Sequence, residues 1–146
     1  MYRHILLATD GSPCALRAAV AAAEIACTYR SKVTIIHVQL EILANLGLAD
    51  ATLAEQYIDV QEQNCTAEYE QVIAMTRPAF DKREVEFDAV QAHGYSGDVI
   101  SAVAAQCGAD LIVVGHRGLS ALQSIVLGST SERIVHTAKC SVLVVR

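Results

Sequence analysis

Leu111-Ile112-Val113-Val114-Gly115-His116-Arg117-Gly118 runs from unbroken apolar residues into a glycine turn; nine residues later (119–127) the chain reads Gly128-Ser129-Thr130-Ser131. A short run that is apolar at every position is the pattern of a strand covered on both faces, as in a parallel sheet. From Glu132 the pattern becomes helical. Two glycine-bearing turns therefore lie between a buried strand and a helix N-terminus. Glycine lets backbone approach a ligand closely and adopt positive φ. A helix N-terminus offers unpaired N–H groups and a partial positive charge, and Arg117 adds a planar cation with paired donors. Such a place suits a phosphate chain. It is neither of the common nucleotide loops, because no lysine follows Gly128 and no Gly-x-Gly-x-x-Gly follows the first strand. A second reading stays open on the residues alone. Gly115 ends a strand, Gly118 makes a turn, and Ser129 with Glu132 forms a capping box that needs no ligand.

Upstream, Ile5-Leu6-Leu7-Ala8 is another apolar run, closed by Thr9-Asp10-Gly11-Ser12-Pro13. Ser12 suits a helix N-cap and Pro13 the first helical position. The helix is expected to reach about Tyr29, with Leu16, Val20, Ala23 and Cys27 on its inner stripe and Arg17 and Glu24 facing away. Lys32 to Val38 reads as the second strand, so strand, helix and strand make a right-handed βαβ unit. His37 within it reads as an interior or edge histidine rather than a metal ligand. Residues 41–83 say least. Gln39 to Asp50 reads as a flexible loop carrying Leu43, Leu46 and Leu48. One long or broken helix then runs from near Asp50 to near Pro78, with Leu53, Tyr57, Val60, Val72, Met75 and Ala79 on one stripe.

Glu84 to Val90 alternates acidic and apolar residues, the pattern of a strand with one wet face, suited to a sheet edge. His93 to Asp98 reads as a turn, with Ser96 capping a helix from about Gly97 to Cys107. A helix from Thr130 to His136 and a strand from Ser141 to Val145 complete the chain. The order β-α-β-α-β-α-β-α-β predicts an α/β fold: a three-layer, doubly wound, Rossmann-like sheet of five parallel strands. The last strand is apolar throughout, and an exposed apolar edge is a hazard. That predicts a two-fold homodimer through Val142 to Val145.

The 146 residues fit a single domain spanning 1–146. Hydrophobic residues make up 53%, with no tryptophan, so the core is aliphatic. A net charge of −5 argues against a nucleic-acid surface and against an anionic membrane surface. Five cysteines, scattered with no pair two residues apart, read as reduced thiols rather than disulfides or a zinc site. No run approaches a membrane span and no leader is expected, which predicts a cytoplasmic protein.

Together these segments resemble the universal stress protein family, in its ATP-binding subgroup. The likeness is carried by Ile5 to Ser12, Ile36-His37-Val38, Ala109 to Gly115, the spacing Gly115-x-x-Gly118, nine residues, Gly128-Ser129, and Ser141 to Val145. The resemblance implies strand order 3-2-1-4-5, with the first and fourth strands adjacent where the winding reverses, the place a ligand is expected. It implies that Thr9, Asp10 and Val38 hold the adenosine, beside the strand-end residues Ala8 and Val114. Gly115, Arg117 and Gly118 would pass the ribose and α-phosphate, and Gly128, Ser129, Thr130 and, less centrally, Ser131 would cradle the outer phosphates. Asp10 would serve ribose, adenine or a nucleotide-bound magnesium, although it also reads as an Asp-Gly turn residue. The function implied is an ATP-binding sensor or regulator of the stress response, read by an unidentified protein partner. ADP, AMP or a cyclic nucleotide is the alternative ligand. No lysine lies in the loop, so slow hydrolysis is the most catalysis expected. A dimeric interaction module without nucleotide is the third reading.

Overall fold

A computed structural model describes residues 2–40, 51–118 and 127–146. In order the elements are β1 (His4–Ala8), α1 (Pro13–Tyr29), β2 (Lys32–Gln39), α2 (Ala51–Thr76), α3 (Pro78–Asp81), β3 (Asp88–His93), α4 (Ser96–Cys107), β4 (Leu111–Gly115), α5 (Ser129–Thr137) and β5 (Ser141–Val145). The sheet is parallel throughout, ordered β3-β2-β1-β4-β5, as expected. Ile5 stands opposite Val33 on one side and Leu111 on the other. The winding runs from β1 out to β3, then returns across the sheet to β4, leaving a crevice at the carboxyl ends of β1 and β4.

Side-chain alternation sorts the apolar runs onto two faces. Ile5, Leu7, Val33, Ile35, Leu111 and Val113 meet α1, α2 and α3 through Ala18, Ala22, Ile73 and Phe80. Leu6, Ala8, Ile36, Ile112 and Val114 meet α4 and α5 through Ile100, Ala104 and Ile134.

The start of α1 is as expected: Ser12 Oγ accepts the Ala15 N–H at 3.2 Å and Pro13 follows. Its inner face is not. The buried residues are Ala15, Ala18, Ala19, Ala22, Ala23 and Ala26, whereas Val20 and Cys27 are exposed and Leu16 is half-buried. The helix lies close enough to the strands that only methyl side chains fit between, and the bulkier residues point aside.

The long helix ends at Thr76, and one further turn, α3, follows Pro78, whose ring and missing N–H interrupt the ladder. Val72, Ile73 and Thr76 anchor α2, while Val60 and Met75 of the expected stripe are exposed. The expected loop between Gln39 and Asp50, with Leu43, Leu46 and Leu48, lies outside the described residues beyond Leu40, as does the Leu53 side chain.

The third strand begins later than its alternation suggested. Val85 and Phe87 pack on the core from a turn, where Val85 N–H bonds Phe80 O at 3.2 Å and Glu84 has φ +53°. Pairing with β2 starts only at Asp88, opposite Thr34. β3 and β5 form the two edges. All five cysteines are free thiols. No described helix is long and apolar enough to cross a membrane.

Candidate functional site

The crevice at the switch point is a cleft of about 560 Å³. One wall is the end of β1 and the turn into α1: Ala8, Thr9, Asp10 and Ala15. Gly115, Arg117 and Gly118 beyond β4, and Gly128, Ser129 and Thr130 at α5, make the second. Ile36 and Val38 of β2 and Leu40 just beyond it, with the N-cap Tyr95 and Ser96 and Ile100 of α4, make the third, largely apolar wall. The cleft therefore has a polar, glycine-lined end and an apolar end.

Two close approaches shape the polar end. A Cβ on Gly115 would stand 2.8 Å from the Cys14 carbonyl carbon and 2.9 Å from Ala15 N, so only glycine lets β4 end against the first turn of α1. A Cβ on Gly118 would stand 2.6 Å from Asp10 Oδ2, so glycine here lets the carboxylate reach the loop backbone. Asp10 also accepts the Ser12 N–H at 2.9 Å, holding the turn that starts α1.

Thr9 is 5% exposed and fully engaged. Its N–H bonds Ile36 O at 3.0 Å, its hydroxyl lies 3.3 Å from that of Thr76, and its carbonyl accepts from His37 Nδ1 at 2.8 Å. A carbonyl only accepts, so that imidazole carries its proton on Nδ1. His37 Nε2 stands 3.4 Å from Glu68 Oε1, within ion-pair reach but without a directed hydrogen bond. His37 is thus an interior histidine that joins α2 to the floor of the cleft.

The start of α5 departs from the expected capping box. Gly128 is the N-cap and no side chain bonds the first turn; Ser129 is already helical. Ser96 likewise opens α4 rather than capping it, the N-cap being Tyr95. The first-turn N–H groups of α5 therefore have no side-chain acceptor. Ser131 turns inward, and its hydroxyl donates to Gly115 O at 2.8 Å, tying α5 to the end of β4. Val114 is buried in the core behind the cleft. Ten expected residues thus line one cleft, whereas Val114 and Ser131 stand behind it.

Arg117 makes no ion pair with a described residue, and its Nε is buried without a hydrogen-bond partner, as is His116 Nδ1. Orphaned buried donors are uncommon and ask for a partner. Among the described residues there is no cluster of three metal-ligating side chains. A second groove, of about 1090 Å³, lies beneath the starts of β2 and β3. Two of its cations are already paired, Lys32 with Asp88 and Arg83 with Glu24, and Arg77 covers Phe87.

The sequence reading missed Ala15, Ile36, Leu40, Tyr95, Ser96 and Ile100 among the lining residues. Ile36 lies two residues before Val38 on β2, so period-two alternation was the available signal for it; Leu40 stands just past the end of the strand. Tyr95 and Ser96 follow the third strand, on the same carboxyl side of the sheet.

The family profile described as the universal stress protein family matches residues 1–146. The chain belongs to that family. A universal stress protein of Thermus aquaticus is 34% identical over 146 residues, covering all of both chains. Among solved universal stress proteins, one in complex with cAMP is 25% identical with a TM-score of 0.68, over 99% of this chain and 97% of that one. One from Archaeoglobus fulgidus in complex with dAMP is 22% identical with a TM-score of 0.63, over 99% and 98%. One from Arabidopsis thaliana with AMP bound is 21% identical with a TM-score of 0.67, over 98% and 90%. These last two likenesses speak to the universal stress protein fold alone.

Proposed function

We propose that this universal stress protein binds an adenine nucleotide across the ends of β1 and β4, and that a protein partner reads its occupancy in the stress response. The observation that carries the reading is one cleft whose polar end presents Arg117, unpaired among the described residues, and the start of α5, which no described side chain caps. Anionic phosphate satisfies both. The apolar end, with Ile36 and Val38, suits a base. The cAMP bound by a solved family member supports the same ligand class.

In this reading ATP places its phosphates along Gly115, Arg117, Gly118, Gly128, Ser129 and Thr130. Its adenosine lies against Ala8, Thr9, Asp10 and Val38. Asp10 is the only carboxylate among the described lining residues, so a magnesium ion carried by the phosphates would meet it. Val114 and Ser131 act from behind, holding the backbone that faces the ligand. The protein works as a cytoplasmic homodimer joined through Val142 to Val145 of β5.

The test is nucleotide release from freshly purified protein by denaturation, identified by chromatography. It is paired with calorimetric titration of ATP, ADP and AMP, with and without magnesium. Bound adenine nucleotide is expected, with Arg117→Gln weakening it about tenfold to a hundredfold, the range of a charge-assisted hydrogen bond. No released nucleotide and no heat at millimolar ligand would overturn the reading. Phosphate release in the same samples measures any slow hydrolysis.

A further inference from the structure

The two most exposed large apolar side chains among the described residues are Tyr95, 79% exposed, and Leu40, 66% exposed, and both line the same cleft. Isolated exposed apolar residues need no explanation, but two on the rim of one pocket do. Backbone brings them there. Gly94 N–H bonds Gln39 O at 2.9 Å, so the residues that follow, Leu40 and Tyr95, leave neighbouring strands side by side. Gly94 turns the chain at φ +125°, and Tyr95 becomes the N-cap of α4. Its carbonyl accepts the Asp98 and Val99 N–H groups at 3.1 and 3.0 Å, which fixes its backbone. Its hydroxyl has no partner among the described residues, so nothing there holds the ring away from the cleft. Below the rim, Ile36, Val38 and Ile100 give an apolar floor.

We propose that Tyr95 and Leu40 are base-binding residues: the Tyr95 ring stacks on the purine base and Leu40 closes its edge. This rests on the nucleotide reading of the cleft and assigns its apolar rim. An aromatic ring offers stacking area at small conformational loss, because it has only two side-chain torsions. Stacking accepts any base by its π-face. The rim therefore selects a nucleotide over a sugar phosphate, and leaves choice among bases to groups deeper in the cleft.

The experiment uses AMP and ribose 5-phosphate, which differ by the base, against wild type, Tyr95→Ala, Tyr95→Phe and Tyr95→Trp. Because Tyr95 is mostly exposed, none of these should disturb folding, which circular dichroism checks. Tyr95→Ala is expected to weaken AMP about tenfold, the scale of one base–aromatic stack, while Tyr95→Phe stays within about twofold of wild type. Ribose 5-phosphate affinity should be the same in all four. Tyr95→Trp introduces the only tryptophan of the chain. AMP should quench its emission and ribose 5-phosphate should not. Unchanged AMP affinity in Tyr95→Ala, or equal losses for AMP and ribose 5-phosphate, would overturn the inference while leaving the nucleotide site standing. Failure of wild type to bind AMP, ADP or ATP would remove the site itself.

Discussion

Gly115 ends β4 with no room for a methyl group. The atoms its Cβ would strike, the Cys14 carbonyl carbon and Ala15 N, are backbone and cannot swing aside. Gly115→Ala should therefore push α1 from β4 and lower stability by about 2 kcal/mol, the scale of overpacking. Urea denaturation reads this directly, and an unchanged midpoint would show that the two elements separate freely. The sequence marked Gly115 as a strand end, but the reason for glycine lies some hundred residues upstream in α1, where no local pattern reaches. Ser129 and Ser96 teach a related lesson. Each stands one residue inside its helix, and capping preferences do not fix a boundary to that precision. Of the two places the sequence left open for His37, interior or edge, it takes the interior one; its link between Thr9 and Glu68 needed three elements brought together.

Between elements, one polar tie with several N–H donors joins the starts of β1 and β4. The Asp110 carboxylate accepts the Arg3 N–H at 2.9 and 3.1 Å and the His4 N–H at 3.1 Å. Partial burial pushes this carboxyl up, but the N–H groups of Arg3, His4 and Asp110 itself, with the Arg3 charge, outweigh it and hold the group below its usual value. A depressed carboxylate adds stability above its unfolded value of about 3.9, and that contribution is lost as pH falls through the lower folded value. Asp110→Asn should thus destabilise by about 1 kcal/mol at pH 7, a modest figure because solvent reaches the side chain. The gap should close as the pH drops below about 3.9. Melting temperatures across pH 2 to 7 test it, and a gap of constant size would refute the assignment. At this scale, elements whose signals are local were legible: the Ser12-Pro13 start of α1 and the apolar runs of β1 and β4. The Glu84 to Phe87 alternation misled because a turn lying against a core also buries every second residue.

Across the whole molecule, β5 is an edge strand whose Val142 to Val145 are only half-buried. Light scattering should give about twice the chain mass at micromolar concentration, as expected of an apolar edge that pairs with its copy. A monomer mass throughout would mean that the strand stays unpaired. Strand order followed from alternating strands and helices together with the family likeness. The polar half of the cleft was legible because glycine and arginine announce themselves. Its apolar half was hidden, because Ile36, Leu40 and Tyr95 look like any other core or surface residue until the sheet sets them side by side. The six alanines on the buried face of α1 have one more consequence. Alanine has no rotamers to lose on burial. The helix beginning beside Asp10 is therefore seated with no side-chain entropy loss at its six buried positions. The turn at Asp10, held by the Ser12 N–H and the Ser12 cap, is set by the fold itself, so a ligand in the proposed site would meet it ready-made.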